Sequence, residues 1–193
     1  MKVLMVCLGN ICRSPLAEGI LREKARRAGL DWEIDSAGTN GYHTGEAPHA
    51  LSQKVARANG LDISTQRARR FTADDFQHFD KIYAMAGDVL IDIHRIAGKK
   101  FEPAKVDLLL NETHPGENRD VPDPWSGPER GYHEVYKMLE TAADKIIAKY
   151  GQPANHTGEY GQPANHTADY GQQASHAANH GSTEGPSITS VKS

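Results

Sequence analysis

The apolar run Val3-Leu4-Met5-Val6 leads directly into Cys7-Leu8-Gly9-Asn10-Ile11-Cys12-Arg13, and Ser14-Pro15 follows at once. Four consecutive apolar residues, two of them β-branched, read as a strand buried on both faces. Ser14 reads as a helix cap and Pro15 as the first helical residue, where a missing N–H costs nothing. Leu16, Ile20 and Leu21 then keep helical spacing, and Gly29 stands where a C-terminal cap belongs. A buried strand turned by a short loop into a helix is the opening unit of a parallel sheet covered by helices.

The same alternation continues for about 150 residues. Trp32 to Asp35, Lys81 to Met85 and Lys105 to Leu109 read as further strands. Ala50 to Asn59, closed by Gly60, and Asp88 to Ala97, closed by Gly98, read as helices. Thr72 to Asp75 reads as the capped start of a short helix. The last helix runs from about Glu129 to Lys149, with Val135, Met138, Leu139, Ile146 and Ile147 as its inner stripe. The expected fold is α/β, a parallel sheet of four strands in a three-layer α/β/α arrangement.

At Tyr150 the composition changes. Tyr150-Gly151-Gln152-Pro153-Ala154-Asn155-His156-Thr157 recurs from Tyr160 and, more loosely, from Tyr170. Aliphatic residues are almost absent beyond Gly151, so this stretch lacks the apolar area that offsets chain entropy. The expectation is a domain over 1–150 and a disordered, repeat-containing tail over 151–193.

Bulk properties exclude several classes. A formal net charge of -3 without a basic stripe gives no reason to expect a nucleic-acid partner. No apolar stretch approaches a membrane span, and the N-terminal run is too short for a signal peptide. Two cysteines five positions apart exclude a disulfide scaffold and suit a reducing, cytoplasmic setting. Their C-x4-C spacing, with no second pair, is poor for zinc, so no metal is expected.

The loop from Cys7 to Arg13 carries the chemistry. Consecutive backbone N–H groups before a helix start converge on one point, and the helix dipole favours an anion there. Gly9 permits close backbone approach, and Asn10 tolerates a left-handed conformation. Leu8, Gly9, Asn10, Ile11, Cys12 and Ser14 thus frame a cradle for a phosphate dianion. Arg13 offers a planar fork for two phosphate oxygens. The same field favours the thiolate of Cys7, the nucleophilic form. Full ionisation of an ordinary thiol gains at most about 30-fold in nucleophile, about 2 kcal/mol. The larger contribution must come from preorganised groups that match charge spread over the phosphoryl oxygens. Ser14 would ease departure of the sulfur in a second half-reaction.

A leaving alkoxide or phenolate also needs a proton. Asp123, in Val121-Pro122-Asp123-Pro124-Trp125, sits in a proline-flanked loop ahead of the last helix and is the candidate acid. Alone, Asp-Pro is an ordinary turn signal; beside the cysteine loop it takes on a second reading.

These residues resemble the low-molecular-weight protein tyrosine phosphatases over about residues 1–149. The likeness rests on Val6 to Pro15, on Asp35-Ser36-Ala37-Gly38-Thr39, on Gly60-Leu61-Asp62-Ile63-Ser64 and on Asp123-Pro124-Trp125. It implies a four-stranded parallel sheet with helices on both faces and hydrolysis of phosphotyrosine through a phosphocysteine intermediate. By motif, Cys7 is the nucleophile, Arg13 binds phosphate and Asp123 is acid, then base. Asn10 and Ser36 brace the loop, and Tyr42 and Trp125 wall the substrate cleft. No cofactor is implied. The partners implied are phosphotyrosine-containing proteins, a tyrosine kinase among them, met by a monomer that binds neither nucleic acid nor membrane. Cys12 lies close enough in sequence to trap an oxidised Cys7 as an intraloop disulfide.

There are departures. Trp125-Ser126 stands where vertebrate members have two tyrosines, and Gln66 where the family often has a histidine. Two related chemistries fit less well. An arsenate reductase needs further cysteines outside the loop, and arginine phosphatases of the family carry Thr in the position of Ile11. A catalytically dead phosphotyrosine-binding module would be expected to lack Cys7 or Asp123.

Overall fold

The computed structural model describes residues 1–151; the expected tail over 151–193 lies, but for Gly151, outside the described residues. Among the described residues the strands and α-helices follow one another as β1 (Lys2–Cys7), α1 (Arg13–Arg27), β2 (Glu33–Gly38), α2 (Ala50–Ala58), α3 (Asp75–His78), β3 (Lys81–Ala84), α4 (Gly87–Ala97), β4 (Val106–Leu108) and α5 (Glu129–Tyr150). All strand pairs are parallel, in the order β2-β1-β3-β4. The expected strands and helices are all present, within a few residues of their predicted limits.

Alternation along β1 shows how the layers form. Val3, Met5 and Cys7 face a core built with Leu16, Ile20 and Leu21 of α1, Val55 of α2, and Tyr132, Val135, Leu139 and Ile146 of α5. Leu4 and Val6 face the other side, against Phe76 of α3, Val89 and Ile93 of α4, and Phe71. Period-two geometry sends successive side chains to opposite faces, so a strand covered on both sides must be apolar throughout. Each fully buried Leu or Ile contributes about 1.5–3 kcal/mol of transfer free energy.

Helix α1 ends in a Schellman arrangement: Leu30 N–H donates to Ala25 C=O at 2.9 Å and Gly29 N–H to Arg26 C=O at 3.1 Å. Gly29 has φ 69°, the left-handed value this motif needs.

Three local readings are corrected. Ser14 does not cap α1, nor is Pro15 its first residue; the helix begins at Arg13, with Cys12 in the cap position and no side-chain cap bond. The Ser14 hydroxyl is occupied by Cys7 and Asn10 instead. Strand β2 runs on to Gly38 rather than stopping at Asp35, because Ser36, Ala37 and Gly38 pair with Met5, Val6 and Cys7. The short α3 starts at Asp75, whose carboxylate accepts the Thr72 N–H at 2.8 Å. Among the described residues no helix is long and apolar enough to cross a membrane.

Candidate active site

The loop leaves the C-terminal end of β1, beside the point where strand order reverses. Open parallel sheets place their ligands there. Asn10 adopts φ 57°, turning the chain back over its own strand. Gly38 lies directly beneath: a Cβ there would come within 2.9 Å of Leu8 O and 3.0 Å of Asn10 N. The loop therefore rests on bare backbone, and any side chain at 38 would lift it. Thr39 N–H donates to Cys7 C=O and Asn40 N–H to Leu8 C=O, both at 2.9 Å, extending the β1–β2 pairing into the loop.

A chain of polar groups fixes the loop from behind. Asn10 Oδ1 accepts the Arg69 N–H at 2.9 Å, which sets the orientation of the amide. Asn10 Nδ2 then donates to Ser14 Oγ at 2.9 Å and to Ser36 Oγ at 2.8 Å. Ser36 in turn donates to Glu18 Oε2 at 2.6 Å. Burial pushes the Glu18 carboxyl above its ordinary value, against the opposing pull of Ser36 and Arg22.

Cys7 Sγ lies 3.0 Å from Ser14 Oγ and 3.2 Å from the Asn10 N–H that points at it. Asn10 occupies an acceptor site on Ser14, whose hydroxyl proton has Cys7 Sγ at 3.0 Å and Ala37 C=O at 3.5 Å as acceptors. Arg13 is 5% exposed. Its Nη1 donates to Val121 C=O at 3.1 Å and its Nη2 to Asp123 Oδ2 at 2.7 Å. Its Nε is buried without a hydrogen-bond partner. A buried guanidinium donor left over in this way suits an anion at the mouth of the loop.

Cys7, Leu8, Gly9, Ile11, Cys12 and Arg13 line a cavity of about 450 Å³ together with Asn40, Tyr42, His43, Asp123, Trp125 and Ser126. All three expected catalytic side chains, Cys7, Arg13 and Asp123, therefore meet at one cavity. Both expected wall aromatics are there too, and both are exposed, Tyr42 at 85% and Trp125 at 51%. Two expected phosphate-frame residues, Asn10 and Ser14, are not on the wall. They lie behind the loop and act through the bonds just described, as does Ser36. Cys12 faces the cavity edge with its thiol 3.6 Å from the Tyr132 hydroxyl, and burial pushes that thiol up to about 11.

Local sequence pattern assigns no role to Glu18, His43, His49, Arg69 or Tyr132, and marks Gly38 only as part of the Asp35–Thr39 motif. Glu18 sits on α1 like any helical glutamate, and only the fold turns it inward. His43 follows Tyr42 directly, and that adjacency was the one signal available. Among the described residues no cluster of three or more His, Cys, Asp or Glu is placed to hold a metal ion.

A doubly wound domain with a cysteine-centred, arginine-closed anion cradle at the end of its first strand defines a class of phosphate-handling proteins. Comparisons with known proteins are specific within that class. Residues 2–154 match the family model described as low molecular weight phosphotyrosine protein phosphatase. The chain is 36% identical over 148 residues to the low molecular weight protein-tyrosine-phosphatase YfkJ of Bacillus subtilis, covering 76% of this chain and 93% of that one. It is 36% identical over 150 residues to the human low molecular weight phosphotyrosine protein phosphatase, covering 76% and 94%. The crystal structure of YfkJ superposes with a TM-score of 0.71 at 35% identity, over 77% of this chain and 92% of the other. A product-state mimic of the Entamoeba histolytica protein tyrosine phosphatase gives 0.72 at 32% identity, over 79% and 97%. The chain belongs to the low molecular weight phosphotyrosine protein phosphatase family.

Proposed function

We propose that this protein is a protein-tyrosine-phosphatase that hydrolyses phosphotyrosine in two displacements at phosphorus. Cys7 Sγ attacks in line, and the phosphoryl group passes to sulfur as a phosphocysteine. Loop N–H groups and the Arg13 guanidinium hold the equatorial oxygens, where transition-state charge is spread. Asp123 gives its proton to the departing phenolate. In the second displacement Asp123 takes a proton from water, which attacks phosphorus and releases inorganic phosphate. Ser14 donates to the departing thiolate.

The observation that carries this reading is convergence on one sulfur. Asn10 N–H at 3.2 Å and Ser14 Oγ at 3.0 Å both address Cys7 Sγ. Cys7 lines the same cavity as Asp123, itself 2.7 Å from Arg13. Tyr42 and Trp125 favour an aryl ester, since a long aromatic side chain brings its phosphorus to the cavity floor and a short phosphoserine does not. Proteins bearing phosphotyrosine are the proposed partners, with the chain acting as a monomer.

The test is a panel of phosphotyrosine, phosphoserine and phosphoarginine peptides, with Cys7→Ser as control. Hydrolysis of phosphotyrosine alone, abolished in Cys7→Ser while phosphate binding persists, is the expected result. Comparable kcat/KM for serine and tyrosine phosphopeptides would remove the proposed specificity.

A further inference from the structure

His49 stands where four segments meet. Its backbone N–H donates to Ile11 C=O of the phosphate loop at 2.7 Å. Its Nδ1 accepts the Leu51 N–H at 3.3 Å, capping α2, and faces the Tyr132 hydroxyl of α5 at 3.0 Å. A backbone N–H can only donate, so Nδ1 is the acceptor and the ring proton sits on Nε2. The imidazole is stacked on Tyr132, with centroids 5.5 Å apart and planes at 15°. It is also tilted against Trp125 at 5.2 Å and 59°. Trp125 also meets His43, at 5.6 Å and 49°. His43 is held in turn by Glu46, whose Oε2 lies 3.0 Å from Nδ1.

Trp125 needs these neighbours. Half of it is exposed, and it belongs to a loop rather than to a helix or strand. Its backbone N–H donates to Asp123 Oδ1 at 3.1 Å, so the position of the indole and that of the carboxylate are tied within three residues. Aromatic contacts of this kind stabilise beyond the apolar area they bury. That is enough to bias a short loop between two arrangements.

We propose that His49 is a positioning residue for the acid loop: with His43 it clamps the Trp125 ring and so holds the Asp123 carboxylate over the phosphate loop. The proposal rests on the phosphatase reading, in which Asp123 is the proton donor. His49 touches neither sulfur nor phosphate; it acts through Trp125. Its backbone bond to Ile11 sets that clamp in register with the cradle beneath.

Two substitutions separate the clamp from the helix cap. His49→Asn keeps a good capping side chain for Leu51 N–H but removes the ring. His49→Phe keeps the ring but removes Nδ1. Each is assayed on phenyl phosphate, a poor leaving group that needs the acid, and on 4-nitrophenyl phosphate, which needs it less. The readouts are kcat/KM for each ester and Tm. In His49→Asn, kcat/KM for phenyl phosphate should fall about tenfold or more, because small misplacements of a reacting group are costly. The nitrophenyl value should stay within about twofold of wild type. His49→Phe should restore the phenyl phosphate value while melting lower. Trp125→Ala should lose on both esters, because Trp125 also walls the cleft, with the larger loss on phenyl phosphate, and the double variant should be no worse on phenyl phosphate than Trp125→Ala alone.

Equal losses on both esters, no loss on either, or additive losses in the double variant would overturn the clamp. Asp123→Ala serves as the reference. If wild type cleaves neither ester, or Asp123→Ala shows no dependence on leaving group, the phosphatase reading fails and the clamp falls with it. If Asp123→Ala shows that dependence and His49→Asn does not, the clamp alone is wrong.

Discussion

Arg13 and Asp123, 110 positions apart in sequence, are joined by a 2.7 Å bond from Nη2 to Oδ2. One partner is nearly buried and the other is 44% exposed at its side chain. The pair therefore has one fixed end, the guanidinium held by Val121 C=O, and one end open to the cavity. A phosphate dianion entering the cradle would share the same guanidinium. Its charge would compete with the Asp123 carboxylate for that guanidinium.

Removing that carboxylate should separate binding from turnover. Asp123→Asn is expected to bind inorganic phosphate more tightly than wild type, measured by calorimetry, since a competing negative charge is gone. Asp123→Ala is expected to lose about 10²–10⁴ in kcat/KM for phenyl phosphate and clearly less for 4-nitrophenyl phosphate. Equal losses on the two esters would take Asp123 out of the acid role.

Ser14→Ala tests the second displacement. The lost bond is one to a charged sulfur, worth roughly 1.5–3 kcal/mol, or about 10–150-fold in rate. The thiolate is the leaving group only when phosphocysteine is hydrolysed, so that step should slow most. Stopped-flow traces with 4-nitrophenyl phosphate should show a burst of one equivalent of nitrophenol and then a slow steady state. A uniform slowing without a burst would mean that Ser14 only supports the loop through Asn10.

Much of this site was legible in the sequence, and the rest was hidden for identifiable reasons. Cys7, Arg13 and Asp123 carry reactive groups at positions the strand–loop–helix pattern singles out. Ser14 before Pro15 resembles a cap, and propensity alone favours that reading; the competing bond to Cys7 appears only once β1 lies beside α1. Glu18 shows nothing unusual until α1 packs on the sheet and brings it to Ser36. His49 and Tyr132 are 83 positions apart and meet only because α5 returns across α2. Local pattern thus marks the groups proposed to react, and long-range packing chooses the groups that hold them.

Glu18 gives a pH signature of that packing. Burial raises its carboxyl above the ordinary 4.5 in the folded chain, so the folded state holds its proton more tightly than the unfolded state. Below 4.5 the group is protonated in both states and costs nothing. As pH rises through the raised value, stability is lost, and the loss is complete above it. Glu18→Gln, which still accepts from Ser36, should remove that loss. Urea melts should show the variant gaining on wild type between pH 4.5 and pH 7. Only the difference between the two proteins is diagnostic, because Glu23, Glu33, Asp62, Asp92 and Glu129 are all shifted downward and act in the opposite direction. A constant difference across that range would mean that Glu18 is not ionised at a cost.

Cys7 and Cys12 share the loop but differ in surroundings. Cys7 lies 3.2 Å from Asn10 N and 3.0 Å from Ser14 Oγ at the cavity; Cys12 is pushed up to about 11 by burial, with the Tyr132 hydroxyl pulling it part of the way back. Peroxide should therefore oxidise Cys7 first, to a sulfenic acid, while Cys12 remains a thiol. Condensation of the two forms one S–S bond and releases one water, the Cys12 proton joining the hydroxyl that leaves Cys7. Wild type treated with peroxide should show a mass loss of two hydrogens and recover activity with dithiothreitol. Cys12→Ser should instead advance to the sulfinic acid and stay inactive. Since Cys12 must lose its proton to react, the disulfide should form faster at pH 9 than at pH 7 in wild type. If Cys12→Ser recovers as fully as wild type, the second cysteine is a packing residue beneath the loop and gives the nucleophile no protection.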